Sequence, residues 1–149
     1  MTSYLCDANV WLALVVAGHA HNPLAQSWLE SVSEPRSILF CRSTQQAFLR
    51  LLTNLSVFAA YSLPAFTNEE AWHGYDALTA DERIVFQASE PEGLWELWRE
   101  YSSRTTSSTK VWMDAYLAAF ARAGGYRLVT MDGDFRQFEG LDLLLLTHA

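Results

Sequence analysis

Tyr4-Leu5-Cys6-Asp7-Ala8-Asn9-Val10-Trp11-Leu12, residues 4–12, passes from an apolar triplet to an aspartate and then into an apolar helical run. That order reads as a strand that ends at an acid and turns at once into a helix. It returns near the C-terminus, where Leu128-Val129-Thr130-Met131 runs into Asp132-Gly133-Asp134. Asp114 follows Val111-Trp112-Met113 near the start of a further apolar helical segment. Ligands of an α/β sheet bind in the crevice outside the carboxyl ends of its strands. Asp7, Asp114, Asp132 and Asp134 are therefore expected to converge there. Converging carboxylates repel one another, and a hard divalent cation such as Mg²⁺, which prefers oxygen ligands, relieves that repulsion. The pattern implies a metal site and chemistry on a phosphate-bearing substrate.

Between these segments strands and helices alternate. Residues 3–7 read as a strand and 8–17 as a helix. Pro23 is placed for the first turn of the next helix, with Leu24, Trp28 and Leu29 at helical spacing. Ser37–Cys41 reads as the second strand. A helix capped by Ser43 or Thr44 follows, with an apolar stripe of Phe48, Leu49, Leu52 and Leu55. Asn68-Glu69-Glu70 opens a helix to about Leu78, 83–87 reads as a third strand, and 93–101 as a Trp-rich helix. The polar stretch 102–109 is a loop. Residues 110–123 form a long helix ended by Gly124-Gly125, and 126–131 and 141–146 are the last two strands. Strands separated by helical segments imply an α/β fold, with a mostly parallel sheet of about five strands between helices on both faces.

The chain has 149 residues, half of them apolar, which suits one domain over 1–149 with a substantial core. It carries seventeen acids against ten bases, a net charge of −7, and Lys110 is its single lysine. A general nucleic-acid binder usually shows a basic face. If this chain acts on nucleic acid, the metal, a local arginine patch or a second subunit must supply the phosphate affinity. Two cysteines, Cys6 and Cys41, are too few for a disulfide scaffold and read as buried thiols of a cytoplasmic protein. The apolar run 10–17 is short and follows an acid, so it reads as neither a signal peptide nor a membrane span.

Taken singly, each candidate has an ordinary structural explanation. Asp7 or Asn9 could be a helix cap, Asp114 an acid favoured by a helix dipole, and Asp132-Gly133 a turn. Together at strand ends they become a site, with Thr130 placed to orient a carboxylate or water. Arg50 is a candidate phosphate contact, although surface arginines are common. His19, His21, His73 and His148 show no metal-ligand spacing, and Trp95, Trp98 and Trp112 read as core or interface residues.

Four segments in order resemble the motifs of PIN-domain ribonucleases, in particular the VapC-type toxins of bacterial toxin–antitoxin pairs. They are Asp7-Ala8-Asn9-Val10-Trp11-Leu12-Ala13-Leu14, Phe48-Leu49-Arg50-Leu51-Leu52-Thr53-Asn54, Trp112-Met113-Asp114-Ala115-Tyr116-Leu117-Ala118 and Val129-Thr130-Met131-Asp132-Gly133-Asp134-Phe135. The resemblance implies a three-layer α/β/α PIN-like fold and a Mg²⁺- or Mn²⁺-dependent endoribonuclease. It also implies a homodimer and a cognate VapB-type antitoxin, for which the Trp-rich helices offer a groove. By position, Asp7, Asp114 and Asp132 would be catalytic metal-site acids, Asp134 a further metal-site acid, and Asn9 a polar neighbour. Many members carry a glutamate just before the Phe-Leu-Arg of the third helix, where this chain has Ala47, preceded by Gln45 and Gln46. Two other readings compete: a catalytically silent PIN-like binding module, and a haloacid-dehalogenase-type phosphatase. The second usually needs an aspartate two residues after the first, where this chain has Asn9.

Overall fold

Five short strands, β1 (Tyr4–Cys6), β2 (Ile38–Phe40), β3 (Ile84–Phe86), β4 (Arg127–Thr130) and β5 (Leu143–Leu145), form one sheet in the order β3-β2-β1-β4-β5. Every neighbouring pair is parallel. The computed structural model describes residues 1–147, so His148 lies outside the described residues. Seven helices connect the strands: α1 (Ala8–Val15), α2 (Asn22–Glu30), α3 (Arg42–Leu52), α4 (Leu55–Ala59), α5 (Asn68–Thr79), α6 (Leu94–Ser102) and α7 (Val111–Gly124). The expected α/β sandwich with a parallel five-stranded sheet is therefore the observed one.

Side chains alternate across a strand, and here the alternation divides the core in two. Cys6, Ile38, Phe40 and Val129 point to one face, under α1, α2, α3 and α5. Leu5, Leu39 and Leu128 point to the other, under α6 and α7. Both faces are covered, which is why the strands read as continuous apolar runs. Trp11 anchors the first layer: it is fully buried, stacks on Phe40 at 3.9 Å and donates its indole N–H to the Cys6 carbonyl at 3.1 Å. Both cysteines are free and buried. Among the described residues no helix is long and apolar enough to cross a membrane.

The helix boundaries correct the sequence reading in two places. Cys41, not Ser43 or Thr44, caps α3, and the Thr44 hydroxyl accepts the Cys41 N–H at 3.0 Å from the third helical position. Leu55 does not extend the α3 stripe. The chain breaks at Thr53, and Asn54 caps α4 by accepting the Val57 N–H, which leaves Leu55 on the surface at 77% exposure. Gly125 ends α7 at φ 71°, a left-handed conformation that suits glycine.

The sheet order sets the position of the site. From β1 the chain steps outward through β2 and β3 and then returns to the other side for β4 and β5. The strand order thus reverses between β1 and β4, and such a switch point is where open α/β sheets form a crevice at the carboxyl ends of their strands. Asp7 directly follows β1, and Asp132 lies two residues beyond β4.

Candidate active site

Thr130, the last residue of β4, has no solvent exposure and sits at the centre of a polar network across the switch point. Its hydroxyl donates to Asp7 Oδ2 at 2.7 Å. The same oxygen accepts the Asp132 backbone N–H at 3.1 Å and the Asn9 amide at 3.4 Å. A hydroxyl has one proton and two lone pairs, so Thr130 is fully used. Asn9 completes the tie by accepting the Met131 N–H at 3.3 Å. Asp7 caps α1, accepting the Ala8 N–H at 2.8 Å, and its own N–H bonds the Val129 carbonyl. The capping role and the site role of Asp7 therefore coexist, one carboxylate oxygen serving each.

Asp132 caps the 3₁₀ turn Gly133–Gln137, which the sequence reading missed, by accepting the Asp134 N–H at 2.9 Å. Asp114 lies in the first turn of α7, half-buried. Burial pushes the Asp114 carboxyl up from its ordinary value, and the charges of Asp7, Asp132 and Asp134 push it further, against the pull of Lys110. Asp7 is raised chiefly by burial; the Thr130 and Ala8 hydrogen bonds oppose this, and the Asp132 charge adds to it. These mutual effects place the four acids within electrostatic reach of one another, as the sequence pattern implied.

Lys110 was not singled out as a site residue. Its ammonium lies 2.9 Å from Asp134 Oδ2 and 3.6 Å from Asp132 Oδ2. Its hydrogen bond to Asp134 and the charges of Asp132 and Asp114 raise its own pKa. The available signal was a single lysine four residues before Asp114 at a helix start. Arg50, in the last turn of α3, is exposed and lines a cleft of about 210 Å³ with Thr53, Asn68 and Trp72; among the described residues no ion pair ties it to the acids. Ala47 packs against the apolar layer under α3, and Gln45 is buried and bonded by Arg42. His19 and His21 are partly buried with their rings 5.6 Å apart.

The donors match a hard cation in kind: the carboxyl groups offer oxygens and net negative charge. Among the described residues, no group of three or more His, Cys, Asp or Glu side chains is drawn close enough to hold one ion. In this arrangement Lys110 supplies the positive charge instead.

A model of the PIN domain matches residues 4–141. The chain belongs to the PIN-domain family. It is 51% identical to Ribonuclease VapC41 of Mycobacterium tuberculosis, over 95% of this chain and 97% of that protein. Among solved structures, VapBC2 from Rickettsia felis, bound to a DNA fragment from its promoter, superposes with a TM-score of 0.70 at 13% identity. That match covers 98% of this chain and all of the other. VapC20 of Mycobacterium tuberculosis, described as a sarcin–ricin loop cleaving toxin, gives 0.66 at 19% identity, over 94% and 98% of the two chains. Within the family, then, this is a VapC-type PIN domain.

The raised Asp7 and Asp114 carboxyls have a consequence for stability. A carboxyl whose folded pKa exceeds its unfolded value binds more protons when folded, so stability is lost as pH rises from the unfolded value, 3.8, through the raised one. Above that window the loss is complete. In metal-free buffer, Asp7→Asn should therefore melt at a higher temperature than the parent at pH 7, with the gap closing below about pH 4. Thermal melts across that range test it, and a lower melting temperature for Asp7→Asn at pH 7 would refute the assignment.

Proposed function

We propose that this chain is a VapC toxin: a Mg²⁺- or Mn²⁺-dependent endoribonuclease that cuts RNA phosphodiester bonds at the Asp7–Asp114–Asp132 cluster, with Asp134 as a further acid. The strongest support is the 51% identity to a named VapC ribonuclease along nearly the whole of both chains, with Asp7 and Asp132 both bonded to Thr130 at the switch point. A bound divalent ion supplies a water of lowered pKa beside the scissile phosphate and offsets charge developing there. Asp7 and Asp132 would hold that ion; the Thr130 hydroxyl donates to the Asp7 carboxylate and accepts the Asp132 backbone N–H. Asp114, whose carboxyl is raised by burial and by its acidic neighbours, is a candidate proton acceptor. Asn9 spends both ends of its amide joining α1 to the end of β4. This leaves it a positioning role and disfavours the phosphatase reading, in which the residue at that position is an acid.

The decisive experiment is Mn²⁺-dependent cleavage of RNA by purified Asp7→Asn, Asp114→Asn and Asp132→Asn proteins. Losing a residue that merely orients a metal ligand typically costs about 10–100-fold, so losing a ligand should reduce cleavage by about 100-fold or more while the fold survives. Full activity in all three would remove the site assignment. A parent protein that binds RNA yet never cuts it would favour the silent-module reading, for which Ala47 in place of the family glutamate is the supporting observation.

Lys110 and a divalent ion compete for Asp132 and Asp134 under this reading. Lys110→Met should bind Mn²⁺ several-fold more tightly than the parent by calorimetry, because the ion no longer displaces an ammonium. Equal or weaker affinity in the folded variant would show that Lys110 does not compete with the metal.

The protein acts in the cytoplasm as a homodimer and is held inactive by a VapB-type antitoxin, on the same proposal. An arginine of that partner can pair bidentately with an acid of the cluster and take the place of the cation. Co-expression with the product of the neighbouring small open reading frame should give a complex that co-purifies and does not cleave RNA. A neighbour that neither binds nor relieves growth arrest would count against the toxin assignment.

A further inference from the structure

α6 carries Trp95, Trp98, Arg99 and Ser102 at helical spacings that put them on one face. Across from that face lie Val111 and Trp112 at the start of α7, and the polar segment between the two helices closes the end. Together they line a cleft of about 650 Å³. In a chain of charge −7 the lining contains no acid: its charged residues are Arg99 and Arg104, and six serine and threonine side chains come from 102–109. Glu96 and Glu100 lie on the same helix and do not line it. Trp95 is 59% exposed and Trp112 55%, so of the two readings, core or interface, neither is a core residue. Trp98 ties the two sides together: its ring meets the Trp95 ring edge-on at 6.1 Å, and its N–H donates to the backbone carbonyl of Trp112 at 2.9 Å.

The cleft adjoins the acids. Thr109 and Val111 line it, and Lys110 between them reaches Asp134 and Asp132. Arg104 bonds Gln137 and lies over Phe138, at the far end of the turn that Asp132 begins. The segment that lines the cleft thus continues without a break into the lysine that faces the acids.

We infer that the cleft is a subsite for single-stranded RNA beside the phosphate to be cut. Bases stack on Trp95 and Trp112, the hydroxyls and Arg104 hold the sugar–phosphate chain, and Arg99 neutralises a phosphate. This rests on the ribonuclease reading for its biological substrate, but it is a statement about binding and stands or falls separately. Flat exposed indoles beside arginines are the means by which proteins hold unpaired bases without reading sequence. Indoles and Val111 make much of the lining apolar; what favours a nucleic-acid strand over a protein helix is that the charged residues of the lining are arginines alone.

The test uses the full chain carrying Asp7→Asn, so that RNA is bound and not consumed. A fluorescein-labelled short single-stranded RNA of mixed sequence is titrated by anisotropy, with the same sequence as a duplex for comparison. Trp95→Leu and Trp112→Leu should each weaken single-strand binding about tenfold or more, and Trp95→Tyr should restore most of it, because a phenol ring still stacks. Arg99→Gln should lower the slope of log affinity against log salt by about 0.7, the signature of one lost single-strand phosphate contact. Melting curves control for folding, and the exposure of Trp95 makes its variants the decisive pair. Unchanged affinity in both leucine variants, or equal losses on the duplex, overturns the subsite. Unchanged RNA affinity together with loss of antitoxin capture by the same variants overturns it in favour of a protein partner. If the Asp7-intact protein fails to cut RNA with Mn²⁺ while the tryptophan dependence of binding holds, the ribonuclease reading fails and the subsite stands.

Discussion

The constraint on which this structure depends is the repulsion among four carboxylates that the sheet topology brings together. Placing β1 beside β4 at the switch point gives a crevice, and it also puts Asp7 near Asp132 in a partly dry environment. The chain meets that cost with local devices. Asp7 faces the N-terminus of α1, where a negative charge is favoured, and receives the Thr130 proton. Asp132 accepts the first free N–H of the turn it opens. Lys110 supplies a mobile positive charge near Asp132 and Asp134. Thr130 belongs to all of this because a strand-end hydroxyl has the one donor and two acceptor sites that the junction of Asp7, Asn9 and Asp132 requires.

The layer structure, the number of strands and the placing of the acids were legible in the sequence because each depends on a local rule. Apolar runs between helical periods indicate a parallel sheet, and an acid directly after such a run lies at a carboxyl end. What was not legible depends on competition between neighbouring rules. Thr44 could cap α3 as well as Cys41 by side-chain type alone, and only the backbone turn after β2 decides in favour of Cys41. Leu55 fits the apolar stripe of α3, but Asn54 offers a better cap to a new helix than a continuation would give. The contacts of Lys110 and the exposed faces of Trp95 and Trp112 were not legible for a different reason. Their roles depend on which elements fold back against one another, and a pattern along the chain does not carry that information.

The distribution of charge bears on an apparent conflict between an acidic protein and the phosphate-bearing substrate proposed for it. Net charge governs the field at long range, whereas affinity for a strand is decided within roughly a Debye length of about 8–10 Å. Here four of the seventeen acids lie about the switch point, and the cleft lined by Thr109 and Val111 has none. Acid and base are thus separated along the path a strand would take. A chain with the same composition and a random distribution would repel the substrate throughout.

Lys110 stands on the border between these two regions, and its position links them. It is flanked by cleft residues in sequence and bonded to site residues in space. With no divalent ion it neutralises part of the acid cluster, so the fold need not bear the full repulsion. Were a divalent ion to take over that charge, as proposed, the ammonium would be released on a side chain already 65% exposed. Its long flexible stem suits both positions, and the strongly hydrated ammonium is less costly to move than a guanidinium held in a bidentate pair. An arginine here would grip the carboxylates more firmly and oppose the metal, and a neutral residue would leave the metal-free cluster without its nearest cation. The same exchange of one cation for another is open to an arginine from outside the chain, which is how a partner could close the site using the charge that the acids already present.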